Sequence, residues 1–167
     1  MDIPTLRTER LVLRPYRLDD FDAYAALNGS PEVMRYIAEA QDRPTAFRAF
    51  CAVVGHWHYR GHGIWAVEEI ATGKLVGGAG LVRWEGRKDL EVGYILHPGA
   101  QGKGYATEAS RASLRYAHEV LGARGVVAVI HADNAPSIRV AERLGATWLR
   151  DTVEKTVPLR VFGFRDP

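Results

Sequence analysis

HPGAQGKGYATEA, residues 97–109, puts Gly99, Gly102 and Gly104 close together and then turns at once into small, helix-favouring residues. The run before it, LEVGYILH (90–97), is strand-like, so the glycines join a strand to a helix N-terminus. There the unpaired backbone N–H groups and the positive end of the helix dipole favour an anion. Glycine at 102 and 104 also lets a ligand approach the main chain without meeting a Cβ. Two nucleotide-binding loops share this geometry, and both fail on the residues. A Walker loop requires Lys and Ser/Thr where this chain has Tyr105 and Ala106. A dinucleotide fingerprint starting at Gly102 meets Thr107 at its third place, and it belongs in a first βα turn, whereas this stretch lies late in the chain.

Outward from the glycines, the pattern predicts an α+β domain. Toward the N-terminus, GIWAVEEI and KLVGGAGLVRW read as two strands joined by a turn at Ala71-Thr72-Gly73. Before them, a helix is predicted from about Arg43 to Tyr59, a short helix starting at Ser30-Pro31, and another capped by Asp19 or Asp20. TERLVLRPYR supplies a first strand from Leu11 to Arg14. Toward the C-terminus, Ala106, Ala109, Ser113, Tyr116 and Val120 recur at helical spacing, giving a helix from Lys103 to Leu121 that ends at Gly122. VVAVIHA is a continuous apolar strand, the kind buried on both faces. A helix capped by Asp133 or Asn134 and stopped by Gly145 follows, then strand-like runs around ATWLRDTV and PLRVFGF.

The 167 residues contain no repeat or linker and are expected to form one domain, 1–167. No apolar run approaches the roughly 20 residues a membrane span needs. The opening MDIPTLRTER has no secretory h-region, and the single cysteine, Cys51, rules out an internal disulfide framework, so a cytoplasmic protein is expected. Cys51 sits in an apolar helical stripe and is expected in the core. A net charge of +2 without a basic run or stripe gives nucleic-acid binding no support. His56, His58 and His62 have no carboxylate or cysteine beside them and Gly61 breaks their helix, so no metal is expected. Monomer and homodimer both remain open.

Gln101, Gly104 and Ala106 match the Q/R-x-x-G-x-G/A pattern, and with that match the chain resembles the GNAT acyl-CoA N-acyltransferases. The opening TERLVLRPYRLDDFDAYAAL, the central EVGYILHPGAQGKGYATEA and the later NAPSIRVAERLGA resemble, in order, segments of the RimJ/RimL-like branch. The resemblance implies a mixed, mostly antiparallel central sheet of about six to seven strands flanked by helices, with splayed fourth and fifth strands and acetyl-CoA in the gap. It implies that main chain from about Gln101 through Gly102, Lys103, Gly104 and Tyr105 to Ala106 holds the pyrophosphate. Main chain at Tyr94, Ile95 and Leu96 would pair with the pantetheine arm, and an N–H near Ile95 or Leu96 would face the thioester oxygen.

An N-acetyltransferase acting on an amine needs a base, because aliphatic amines are mostly protonated at pH 7. Glu91 matches the acid of the family's E-x-G-Y strand and is the candidate; alternatively it is a strand carboxylate paired with an arginine such as Arg83. Many members of the superfamily place a tyrosine acid where this chain has Ala141. The RimL-like branch offers Ser137 instead, either as hydrogen-bond donor to the departing thiolate or as a helix-start residue. Asn134 caps the helix, touches the pantetheine region, or does both. Lys103 and Arg139 meet CoA phosphates or lie in solvent. The acceptor, a small-molecule amine or a protein N-terminus, is expected between roughly Asn28 and Gln41, around Trp84, and near Lys155 to Phe164. Tyr36, Trp57, Trp65 and Trp84 either line that pocket or fill the core. A non-catalytic acyl-CoA-binding protein would keep the same cradle.

Overall fold

A computed structural model describes residues 2–165. Its strands are β1 (Leu6–Arg7), β2 (Leu11–Arg14), β3 (Ile64–Glu69), β4 (Leu75–Val82), β5 (Glu91–Leu96), β6 (Val127–His131), β7 (Thr147–Glu154) and β8 (Val157–Gly163). The helices are α1 (Phe21–Asn28), α2 (Pro31–Met34), α3 (Arg43–Arg60), α4 (Tyr105–Glu119) and α5 (Ala135–Arg143). The strands form one sheet in the order β1-β2-β3-β4-β5-β6-β8-β7. Among the described strands only β5 and β6 run parallel; the other neighbours are antiparallel. Parallel neighbours need a long crossover, and α4 with its glycine loop is that crossover.

The β5–β6 pair holds at a single register position, Glu91 opposite Val127, with the Val127 N–H donating to the Leu90 carbonyl at 2.9 Å. Beyond it the ladder stops and the strands part. In the numbering used here these are the fifth and sixth strands, because the two-residue β1 precedes the first strand that the sequence pattern reveals. So short a strand leaves too little alternation to read.

Pleating gives the two faces of β5 different neighbours. Val92, Tyr94 and Leu96 face the cores built with α4, where Leu11, Leu13, Trp65, Val67 and Ala79 meet Tyr105, Ala109 and Ala112. Glu91, Gly93 and Ile95 face the other way. On that side the Tyr16 hydroxyl covers Gly78, the register partner of Ile95. Tyr16, Tyr24, Phe21, Phe47 and Phe50 form an edge-to-face cluster there between α1 and α3.

Several local expectations are corrected. Asp20 does not cap α1 with its side chain; its carboxylate accepts two bonds from the buried Arg14 guanidinium, at 2.7 and 2.9 Å, and one from the Arg17 N–H. Cys51 is exposed, on the outward side of α3, whose Ala46, Phe50 and Trp57 are buried. Trp57 and Trp65 are core residues and no part of a pocket; their indole N–H groups donate to the Ile64 and Pro4 carbonyls. The helix predicted from Lys103 starts at Tyr105, because Gly104 is left-handed at φ 82° and cannot continue it. No helix among the described residues is long and apolar enough to cross a membrane.

Candidate active site

The glycine loop leaves β5 through a 3-10 turn at Pro98–Ala100 and enters α4 after left-handed Gly102 (φ 74°) and Gly104. A side chain at either place would be strained by that φ. The Cβ that Gly104 lacks would stand 3.3 Å from Arg10 Nη2, so the contact spared there is with the protein itself. The N–H groups from Gly102 to Thr107 make no hydrogen bond among the described residues. Such a run of free donors around left-handed glycines, at the positive end of a fifteen-residue helix, is an anion-binding concavity.

Gln101 stands outside that donor set. Its N–H is used on the Pro98 carbonyl and its side-chain amide donates to the Leu96 carbonyl at 3.1 Å, so it braces the loop against β5. Tyr105 is buried, and its hydroxyl donates to Glu69. The Lys103 ammonium lies exposed, 3.9 Å from Glu69. Arg139 is exposed on α5.

The main chain of β5 alternates between its neighbours. The His97 N–H donates to the Val76 carbonyl, so Ile95, two residues earlier, turns its peptide groups toward β4. Tyr94 and Leu96 therefore turn theirs into the gap beside β6, where the ladder has ended. The donors suited to an extended ligand are theirs and not those of Ile95. An extended chain with amide groups, ending in a pyrophosphate, fits a strand edge followed by an N–H cradle, and CoA has that shape.

Glu91 opens β5 at the last β5–β6 pair, with its side chain 13% exposed. Its arginine neighbour is Arg87, not Arg83; Arg87 Nη1 lies 3.4 Å from Oε1, and that buried oxygen has no hydrogen-bond partner. Burial pushes the Glu91 carboxyl up, Arg87 pulls it down, and the charges of Glu154 and Asp89 push it up again, leaving it above the ordinary range. A buried carboxylate with an unpartnered oxygen is able to accept a proton. Across the strand, the Tyr94 hydroxyl donates to Ser137 Oγ at 3.1 Å. Burial holds the Tyr94 phenol up, so it stays protonated at neutral pH. Asn134 Oδ1 accepts the Ser137 N–H at 3.2 Å and caps α5.

Glu91 and Ser137 thus lie on opposite sides of β5, one facing the α1–α3 side and the other reaching the α4–α5 side. Tyr36, just after α2, packs on His131 at the end of β6, with ring centroids 5.1 Å apart. Trp84 is half exposed beyond β4. The His56 and His62 rings lie 5.1 Å apart, inclined at 58°, and both are pushed down by burial. No group of three His, Cys, Asp or Glu that could hold a metal occurs among the described residues.

This arrangement of splayed strands around a strand-edge and helix cradle defines an acyl-CoA-dependent acyltransferase fold. Residues 10–147 match the Acetyltransferase (GNAT) domain, and the chain belongs to that family. It is 30% identical over 165 residues to the uncharacterized protein YkkB of Bacillus subtilis, covering 94% of this chain and 93% of that protein. An acetyltransferase from Agrobacterium tumefaciens superposes with a TM-score of 0.89 at 33% identity, over 99% of this chain and 96% of that one. A GNAT-family acetyltransferase from Bordetella pertussis superposes at 0.84 with 28% identity, over 96% and 99%. Membership brings CoA as the acyl carrier.

The sequence reading missed Thr8, Arg10, Glu69 and Glu108 as supports of the loop. For Thr8 and Arg10 the signal was the TERL segment itself, where they precede the strand and have no role in it; Glu69 and Glu108 carried none.

Proposed function

We propose that the protein is an acetyl-CoA-dependent N-acetyltransferase of the RimJ/RimL-like type that moves an acetyl group directly onto a primary amine. The acceptor is a protein N-terminal α-amine or a small-molecule amine. The observation that carries this reading is the unpaired N–H run from Gly102 to Thr107, set where β5 and β6 part. CoA, when bound there, supplies the activated acetyl thioester.

The chain's own residues do the rest. Glu91, ionising above the ordinary carboxylate range, takes the proton from the ammonium form of the acceptor, directly or through one water. Tyr94 and Leu96 offer main-chain groups to the pantetheine arm. Ser137, receiving a bond from Tyr94, keeps its own O–H to offer to the thiolate. As the C–N bond forms and the C–S bond breaks, CoA departs as the thiolate of a thiol with a pKa near 8.5. It takes up the proton that the nitrogen sheds on becoming an amide, so a serine hydrogen bond suffices. The strand between Glu91 and Ser137 sorts the reactants, with the amine entering from the α1–α3 side and the carrier from the α4–α5 side.

Ala141, buried where many relatives in the superfamily carry a tyrosine acid, favours a second reading, a non-catalytic acyl-CoA-binding protein. The deciding experiment follows CoA release from acetyl-CoA with a panel of primary amines and N-terminal peptides. Amine-dependent release supports the transferase. Tight CoA binding with no release on any acceptor overturns it in favour of the second reading.

A further inference from the structure

Thr8 and Arg10 of the TERL segment lie in the β1–β2 connection, almost a hundred residues before the loop, and their side chains converge on the start of α4. The Arg10 guanidinium donates from Nη1 to the Lys103 carbonyl at 2.8 Å and from Nε to Glu108 Oε2 at 2.7 Å. It also lies over the Tyr105 ring, 4.9 Å from the centroid. The Arg10 N–H and the Thr8 hydroxyl both donate to Glu108 Oε1, at 2.8 and 2.6 Å. These contacts gather at the N-terminal end of α4, where Arg10 and Glu108 line one groove with Gly104 and Thr107.

Two consequences follow. The peptide from Lys103 to Gly104 is trans, so its C=O and N–H point in opposite directions. Fixing the Lys103 carbonyl on Arg10 turns the Gly104 N–H away from Arg10, and that N–H meets no acceptor in the chain. A charged donor on the carbonyl also polarises the same peptide and makes its N–H a stronger donor. The second consequence concerns Glu108, an acid in the first turns of α4, where a phosphate would otherwise meet a like charge. Burial raises Glu108, but the bonds from Thr8 and Arg10 outweigh it and hold the carboxyl low, so it is ionised. Arg10 neutralises that charge through an ion pair at 2.7 Å.

We propose that Arg10 is the positioning residue of the pyrophosphate cradle. It holds the Lys103 carbonyl, aims the Gly104 N–H at the phosphates, and removes the repulsion of Glu108. This rests on the CoA reading above.

Arg7, Arg111, Arg115 and Arg143 line the same groove as Arg10, so the test must separate positioning from direct contact with the 3′-phosphate. Calorimetric titration of Arg10→Met with CoA and with dephospho-CoA is expected to show both weakened by the same factor, about tenfold or more. The Gly104 amide signal in the NMR spectrum of the free variant is expected to move. Val161→Ala, a buried change in β8, serves as the stability control and is expected to bind both ligands within about twofold of wild type. If Arg10→Met is insoluble, Arg10→Lys carries the same test, since lysine keeps the charge but lacks the fork; its expected loss is at least about threefold for both ligands. Loss for CoA alone overturns the proposal, because Arg10 would then contact the 3′-phosphate. So does an equal loss in Val161→Ala, an unmoved Gly104 amide, or no loss at all. Wild-type protein that binds neither ligand would instead strike the CoA reading itself.

Discussion

In the proposed function the two sides of β5 recognise their ligands by different means. On the α4–α5 side, main-chain groups would carry the recognition: the unpaired N–H run from Gly102 to Thr107, with the Tyr94 peptide groups and the Leu96 N–H turned into the gap. On the α1–α3 side, side chains from separate elements would carry it: Glu91 from β5, Tyr36 after α2, Trp84 beyond β4. A backbone cradle demands particular φ angles, and so particular glycines at fixed spacing. A side-chain pocket demands only that some residue on each wall have a suitable shape. One side is therefore written as a motif, and the other is assembled by the fold.

The hardest blow to this contrast is aimed at the cradle. Gly104→Val places a β-branched residue at φ 82°, with its Cβ 3.3 Å from Arg10 Nη2. The strain costs about 1–3 kcal/mol, and relief by rotating the peptide would misdirect the N–H groups on either side. CoA affinity is expected to fall by roughly a hundredfold or more, the scale of losing two or three charge-assisted hydrogen bonds. Isothermal titration checks it. A variant that binds CoA as wild type does would break the claim that backbone geometry sets donor recognition.

On the other side the expected effect is on rate and not on affinity. Glu91→Gln removes a proton acceptor facing away from the cradle, so the Kd for CoA should hold within about twofold while kcat at neutral pH falls by roughly a hundredfold. The sign of the pH dependence follows from the raised carboxyl. Activity of the wild type rises as pH climbs through that raised pKa, because only the ionised form accepts the proton. The glutamine variant should lose that rising limb and regain activity at high pH, where the amine is neutral unaided. An unchanged pH–rate profile would remove Glu91 as base.

This asymmetry explains what was legible in the sequence. The order of elements, the hairpin at Ala71-Thr72-Gly73 and the cradle all rest on periodicity or on glycine, and these are local signals. What was missed depends on contacts far apart in the chain. Arg87, and not Arg83, meets Glu91 because the β4–β5 connection folds back beside the strand. Asp20 turns to Arg14 and away from the helix it precedes, because a buried guanidinium with two acceptors beside it offers more than a cap. Cys51 looked like core because α3 carries small apolar residues on its outer side as well. Trp57 and Trp65 could have belonged to pocket or core, and only their placement against α4 decides. TERL was readable as a family pattern, but nothing local says that its Thr8 and Arg10 are aimed at Glu108.

The smallest effect is the most informative about chemistry, because Ser137 stands where the two kinds of recognition meet. A serine three residues into a helix usually invites a capping explanation. Here the cap belongs to its neighbour: Asn134 Oδ1 accepts the Ser137 N–H, a backbone group that alanine would retain. The hydroxyl has another partner, Tyr94, which donates to it from β5. Ser137→Ala should therefore lose no cap and cost stability only the Tyr94 bond, about 1 kcal/mol. It should lower kcat by about three- to tenfold, roughly one hydrogen bond's worth. Because Tyr94 donates into Ser137, its removal should resemble the serine change: Tyr94→Phe is expected to lower kcat by a similar factor, and the double variant by little more than either alone. Fully additive losses would show that the two hydroxyls act separately. A loss below threefold in Ser137→Ala would leave the thiolate to depart unaided and confine chemistry to the Glu91 side.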